Sequence, residues 1–235
     1  MSAPEDEQPS PAGSPVPDSR PNPSVYSSRV LKYLYTPLII GFSHRWVWGV
    51  PNSELRSLYR TNIGAPHVEV GPGNAHWLRK QSPRQVHLID ITRDPLRVSN
   101  ARLEKRDWQV FTHQQSATDP WPLEDASVQS VGAGMVLHCL PGENLFDKRP
   151  LITQAHRVLK EDGRLFGATV LGEADPAPIS RLGKRVRDTY NNSDNVFSNR
   201  GDTAEELHQV LESVFGTGRV TVRVLGATAL FQALR

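Results

Sequence analysis

One cysteine, Cys139, stands in a chain of 235 residues, so neither an internal disulfide nor a cysteine-rich zinc site can form. That scarcity suits a cytoplasmic protein. No apolar run approaches the ~20 residues that a membrane-spanning helix needs, and no basic start followed by an apolar stretch marks a secretory leader. Gly-Lys-Ser/Thr is absent, which excludes a P-loop. None of the eight histidines falls in a His-x-x-x-His or His-Glu-x-x-His pattern, so no metal site is expected. Neither sign of charge dominates. With 27 basic against 25 acidic residues the net charge is +2, and the cations are scattered, so a nucleic-acid partner is not expected. No internal repeat is visible, and nothing in the chain fixes an oligomeric state.

What is present divides the chain in three. Residues 1–24 are rich in Pro, Ser and acid and nearly free of large apolar side chains. Such a stretch buries too little surface to offset its ordering entropy, so disorder is expected. Residues 25–65 carry helical spacing at 25–40 and 52–60, around an aromatic and basic segment, GFSHRWVW. Residues 66–235 alternate apolar runs with amphipathic ones. The runs predict strands at 66–70, 86–91, 109–114, 128–135, 163–171, 219–225 and 228–234. Helices are expected at 74–80, 95–105, 144–160, 177–191 and 203–215, with Asp94-Pro95 as a cap and first helical residue and Glu161-Asp162-Gly163 as a helix end. This order predicts an α/β fold: a seven-stranded, mostly parallel sheet with helices on both faces, closed by an antiparallel C-terminal hairpin.

The most informative stretch is His67-Val68-Glu69-Val70-Gly71-Pro72-Gly73-Asn74. An apolar strand ends in an acid and runs into a Gly-x-Gly turn, where the missing Cβ atoms allow a sharp bend and a close ligand. A second strand ends in Asp90, nineteen positions after Gly71. A carboxylate there can accept both hydroxyls of a ribose. The third glycine that a pyrophosphate needs is replaced by Ala75, followed by bulky His76 and Trp77. A ribose-bearing ligand without a phosphate fits better, and S-adenosylmethionine (SAM) is such a ligand.

With these segments the chain resembles the class I SAM-dependent methyltransferases, which have a Rossmann-like fold, and in particular small microbial enzymes of secondary metabolism. The matching segments are GFSHRWVW, VEVGPGNAHWL, HLIDITRDPL, LHCLPG, EDGRLFGATVLG and VFSNR, in the expected order over roughly residues 26–235. The resemblance implies a cofactor site. Gly71, Pro72, Gly73 and Asn74 would line the methionine end of SAM, and Glu69 would orient that loop or reach the ammonium. Asp90 would hold the ribose and Ile91 lie against the adenine. Ser116 and Ala117 stand where the adenine amine is gripped, and Ala133 and Gly134 lie beside the methyl donor. S-adenosylhomocysteine (SAH) would be the product. Ser116 departs from the Asp common at its position, and Gly134 from the polar residue common at its own.

Methyl transfer is an in-line displacement whose rate comes mostly from alignment, so few side chains are obligatory. His138, after the fourth strand, is either a general base or a histidine packed against the sheet. Tyr33, Tyr35, Arg45 and Trp48 either close over a substrate or cover the sheet. Asn191 and Phe197 lie in a polar and aromatic insertion that borders the acceptor pocket in such enzymes. The expectation is a methyltransferase acting on a small natural-product-like molecule, at oxygen. Two alternatives share the fold: a non-methylating cyclisation or rearrangement, and a non-catalytic partner subunit.

Overall fold

The computed structural model describes residues 44–81, 84–193 and 196–235. The expected tail at 1–24, the expected helix at 25–40, Tyr33 and Tyr35 lie outside the described residues. Seven strands form one sheet: β1 (His67–Val70), β2 (Gln85–Asp90), β3 (Gln109–Gln114), β4 (Val128–Gly134), β5 (Leu159–Val170), β6 (Val220–Leu225) and β7 (Thr228–Leu234). Their spatial order is β3-β2-β1-β4-β5-β7-β6. The first five strands pair in parallel, and β7 runs antiparallel to both β5 and β6. This is the sheet and hairpin that the apolar runs predict.

The helices are α1 (Asn52–Asn62), α2 (Arg93–Glu104), α3 (Arg149–Val158), α4 (Arg181–Asn192) and α5 (Ala204–Phe215). Strand alternation sends Val68, Val70, Val131, Ala133 and Leu165 into a core with Leu151, Ile152 and Ala155 of α3 and Leu207, Val210 and Leu211 of α5. Val86, Leu88 and Phe166 pack on the other face with Tyr59 of α1 and Leu96 and Leu103 of α2. Burying each large aliphatic side chain contributes roughly 1.5–3 kcal/mol.

Several expected elements differ, each for a local reason. The helix expected at 74–80 shrinks to a single 3-10 turn, Leu78–Lys80, because Ala75 sits in the left-handed region at φ 54°. Helix α2 starts at Arg93 after Thr92, so Asp94 lies in the first turn instead of capping it. The helix expected from 144 starts at Arg149. Asn144 Oδ1 accepts the Phe146 N–H at 2.9 Å and Asp147 Oδ2 the Glu143 N–H at 2.8 Å, which holds this stretch in side-chain-to-backbone turns. That helix ends at Val158, and Glu161-Asp162-Gly163 belongs to a bulge in β5 with Asp162 at φ 59°. Pro176 and Pro178 delay α4 until Ser180, whose hydroxyl caps it by accepting the Gly183 N–H at 2.9 Å.

Candidate active site

The strand order reverses between β1 and β4, so a crevice opens at the carboxyl ends of these strands, where α/β sheets bind ligands. The turn after β1 occupies it. Gly71 and Gly73 adopt φ 61° and 53°, and a Cβ on Gly71 would lie 2.1 Å from Val136 Cγ2. Glycine is therefore required at Gly71 by both conformation and space. The turn is tied back to the fold: the Gly71 N–H donates to Ile89 O at 2.9 Å, Ser99 Oγ to Gly73 O at 3.2 Å, and Arg102 to Asn74 O at 2.7 Å. Helix α2 thus fixes the loop from behind.

Asp90 ends β2 beside this turn. Its Oδ1 accepts both the N–H and the hydroxyl of Thr92, each at 2.8 Å, while Oδ2 has no hydrogen-bond partner among the described residues. Burial pushes its carboxyl up from the ordinary value to about 6, with the Thr92 hydrogen bonds opposing. Ile91 is 38 % exposed, an apolar surface next to the acid. After β3, Ser116 Oγ pairs with Thr118 Oγ1 at 2.8 Å, and Ala117 is fixed by its carbonyl, which accepts Trp121 Nε1–H at 3.0 Å.

Glu69 sits elsewhere than at the mouth of the turn. It is 4 % exposed, and both oxygens are engaged inside: Oε1 accepts the Tyr59 hydroxyl at 2.5 Å, and Oε2 pairs with His67 Nε2 at 3.0 Å. His67 Nδ1 continues to Ser130 Oγ at 2.7 Å, and Ser130 to the Gly64 backbone. This chain of hydrogen bonds fills the space left by two glycines of β4. A Cβ on Gly132 would lie 2.3 Å from Glu69 Oε2, and one on Gly134 2.4 Å from the Tyr59 hydroxyl. Glu69 therefore braces β1 against α1 and β4; the expected contact with the ammonium has no free oxygen to make it. Gly134 thus faces the Tyr59 ring, and the Ala133 side chain is buried in the core. Tyr59, His67 and Ser130 were not among the sequence-derived site residues. One signal was available, because alternation places His67 and Glu69 on one face of β1.

His138 does not have the geometry of a general base. Its Nδ1 accepts the Val170 N–H at 3.2 Å and lies 3.3 Å from Thr169 Oγ1. The ring proton is therefore on Nε2, which can donate but not accept. Burial, with Lys148 and His44 nearby, drives its pKa down to about 3. His138 instead packs edge-on against Phe197, with ring centroids 4.4 Å apart. Phe197 also meets Trp48 at 5.7 Å and Tyr190 at 5.1 Å, forming an aromatic wall beyond the ends of β4 and β5. Asn191 is committed to structure: it donates to Asn199 Oδ1 at 2.8 Å and to Arg187 O at 3.1 Å. Arg45 points outward and lies 5.6 Å over the ring of Trp46, which is 61 % exposed. Behind the wall, Lys148 donates to Asp202 at 2.5 Å and to Ser198 O at 2.8 Å in a fully buried pair.

These residues fit SAM: a left-handed glycine bend with no room for a Cβ, a carboxylate with one oxygen uncommitted, and an exposed apolar side chain beside it. The fold is the Rossmann-like fold of class I methyltransferases. Residues 68–167 match a family model described as a methyltransferase domain. The chain is 30 % identical over 190 residues to demethylluteothin O-methyltransferase of Streptomyces thioluteus, covering 79 % of each chain. It is 28 % identical to the physcion biosynthesis cluster O-methyltransferase of Aspergillus chevalieri, covering 90 % of this chain and 94 % of that one. Among solved structures, a SAM-dependent methyltransferase of Thermotoga maritima superposes with a TM-score of 0.60 at 14 % identity, covering 88 % of this chain and 97 % of that one. The chain belongs to the methyltransferase family, and it is a SAM-dependent methyltransferase of small molecules. A non-methylating or non-catalytic reading is not favoured.

Proposed function

We propose that this protein methylates a hydroxyl oxygen of a natural-product-like small molecule, holding SAM between the Gly71–Gly73 bend and Asp90. The observation that carries the site is Asp90: a half-buried carboxyl at a strand tip, with one oxygen held by Thr92 and the other available to a ribose. SAM, when bound, supplies a sulfonium-activated methyl group. The backbone of Gly71, Pro72, Gly73 and Asn74 lines the amino-acid end. Ile91 covers one face of the adenine, and Ser116 and Ala117 border its edge. Without a carboxylate, Ser116 offers a weaker hydrogen bond there. Trp48 and Phe197 keep water from the acceptor side, where alignment and exclusion of solvent supply most of the rate. The names of the two microbial O-methyltransferases support oxygen as the acceptor atom. The single cysteine supports work in the cytoplasm, and the net charge of +2 supports a small-molecule partner over a nucleic acid. No described helix is long and apolar enough to cross a membrane.

The test is transfer of labelled methyl from SAM to a panel of phenols, enols, aliphatic alcohols and amines. Label on a hydroxyl oxygen is expected. Label on nitrogen alone, or no binding of SAM at high micromolar concentration, would overturn the proposal.

A further inference from the structure

With His138 removed as the base, another histidine takes its place. We propose that His44, oriented by Asn52, is the general base that takes the acceptor's proton. This rests on the methyltransferase reading of the site.

Three observations carry it. His44 Nδ1 lies 3.1 Å from Asn52 Oδ1. An amide oxygen only accepts, so Nδ1 carries the hydrogen and Nε2 keeps its lone pair. No hydrogen bond to Nε2 is made among the described residues. Second, the ring is placed at the site. It stacks on Trp77 at 6.3 Å and 17°, just past the Gly71–Ala75 turn. Third, the segment is anchored. His44 O accepts the Val50 N–H at 2.8 Å, and Trp48 O accepts the Ala227 N–H of the terminal hairpin at 2.9 Å.

At 3 % exposure, burial lowers the pKa of His44 to about 4, with the Asn52 hydrogen bond opposing. The ring is therefore neutral, with its lone pair available, throughout the neutral range. In the transfer, the hydroxyl proton passes to Nε2 while an oxygen electron pair forms the new C–O bond. The former C–S pair stays on sulfur, the sulfonium charge disappears, and the imidazolium later releases its proton to water. Asn52 acts through His44 and is a positioning residue.

The test has two arms on the full chain. In the first, 15N-labelled histidine is observed by NMR with SAH present, and the His44 signals are assigned by their loss in His44→Gln. The proposal expects Nδ1 protonated and Nε2 bare in the wild type, with that pattern lost in Asn52→Leu and kept in Asn52→Asp. A protonated Nε2 in the wild type overturns it without any acceptor. In the second arm, turnover is measured with acetylacetone, 2-naphthol, benzyl alcohol and benzylamine. Methylation of a hydroxyl acceptor is expected, falling by at least about 100-fold in His44→Gln. SAH affinity should stay unchanged, and added imidazole should restore turnover in His44→Ala. Unchanged turnover in His44→Gln overturns the base role. Where none of the four is methylated by an enzyme that binds SAH, the first arm decides: a bare Nε2 upholds the proposal and a protonated one overturns it. Failure of the wild type to bind SAH is a failure of the methyltransferase site itself, separate from these outcomes.

Discussion

Lowering the pH should loosen the nucleoside site before it loosens the fold, and Asp90 sets where this happens. Its carboxyl is raised to about 6 because burial penalises the charge more than the two Thr92 hydrogen bonds favour it. A ribose diol donates to a carboxylate, so the ionised form is the one that binds. If binding requires ionisation, the apparent dissociation constant is multiplied by one plus the ratio of protonated to ionised acid. That factor is about 1.1 at pH 7 and about 11 at pH 5, a tenfold loss of affinity over two pH units. Stability moves the other way. A carboxyl raised in the folded state binds protons there first, so its contribution to stability falls as pH rises from about 4 to about 6. Calorimetric titration of SAH at half-unit steps from pH 5 to pH 8 measures the binding curve. Asp90→Asn should bind weakly and without this pH dependence. A flat wild-type curve, or the same slope in Asp90→Asn, would refute the reasoning.

Other residues give further predictions. Gly71→Ala forces a left-handed alanine, costing about 1–2 kcal/mol, and places a Cβ 2.1 Å from Val136 Cγ2; SAH affinity should fall more than about tenfold by calorimetry. Gly134→Ala drives a Cβ into the Tyr59 hydroxyl, whereas Tyr59→Phe removes that oxygen and leaves Glu69 short of a donor. In a double-mutant cycle followed by urea unfolding, the pair should therefore be less destabilising than the sum of the two, by at least about 0.5 kcal/mol; additivity would contradict the packing. Asp202→Ala strands the buried Lys148 ammonium and should cost about 3–5 kcal/mol. Adding Lys148→Met should recover part of that loss in thermal unfolding, and no recovery would argue against the pair.

The framework of the fold was legible because its cause is local. Buried strands need nearly continuous apolar runs, and β7 spans the predicted residues 228–234 end to end. The glycine bend and Asp90 were legible for the same reason, since a left-handed turn and a strand-tip carboxylate are properties of a few adjacent residues. Ala75 shows the limit: nothing in its own chemistry announces a positive φ, which the surrounding loop and the α2 side chains Ser99 and Arg102 impose. The roles of Glu69 and His138 were not legible for a related reason. Each has the right residue type at the right strand end. Their free atoms, however, are consumed by partners distant in sequence, Tyr59 from α1 and the Val170 N–H from β5. His44 shows the converse, because its tautomer depends on Asn52, eight residues on, across a turn that periodicity does not reveal.

The most direct measurement is a crystal structure of the protein with SAH. The account predicts the two ribose hydroxyls on the Asp90 carboxylate, the amino-acid moiety along Gly71–Asn74, and the sulfur facing the side of the crevice where His44 lies. An SAH bound with its ribose away from Asp90, or with the Gly71–Gly73 bend empty, would contradict it.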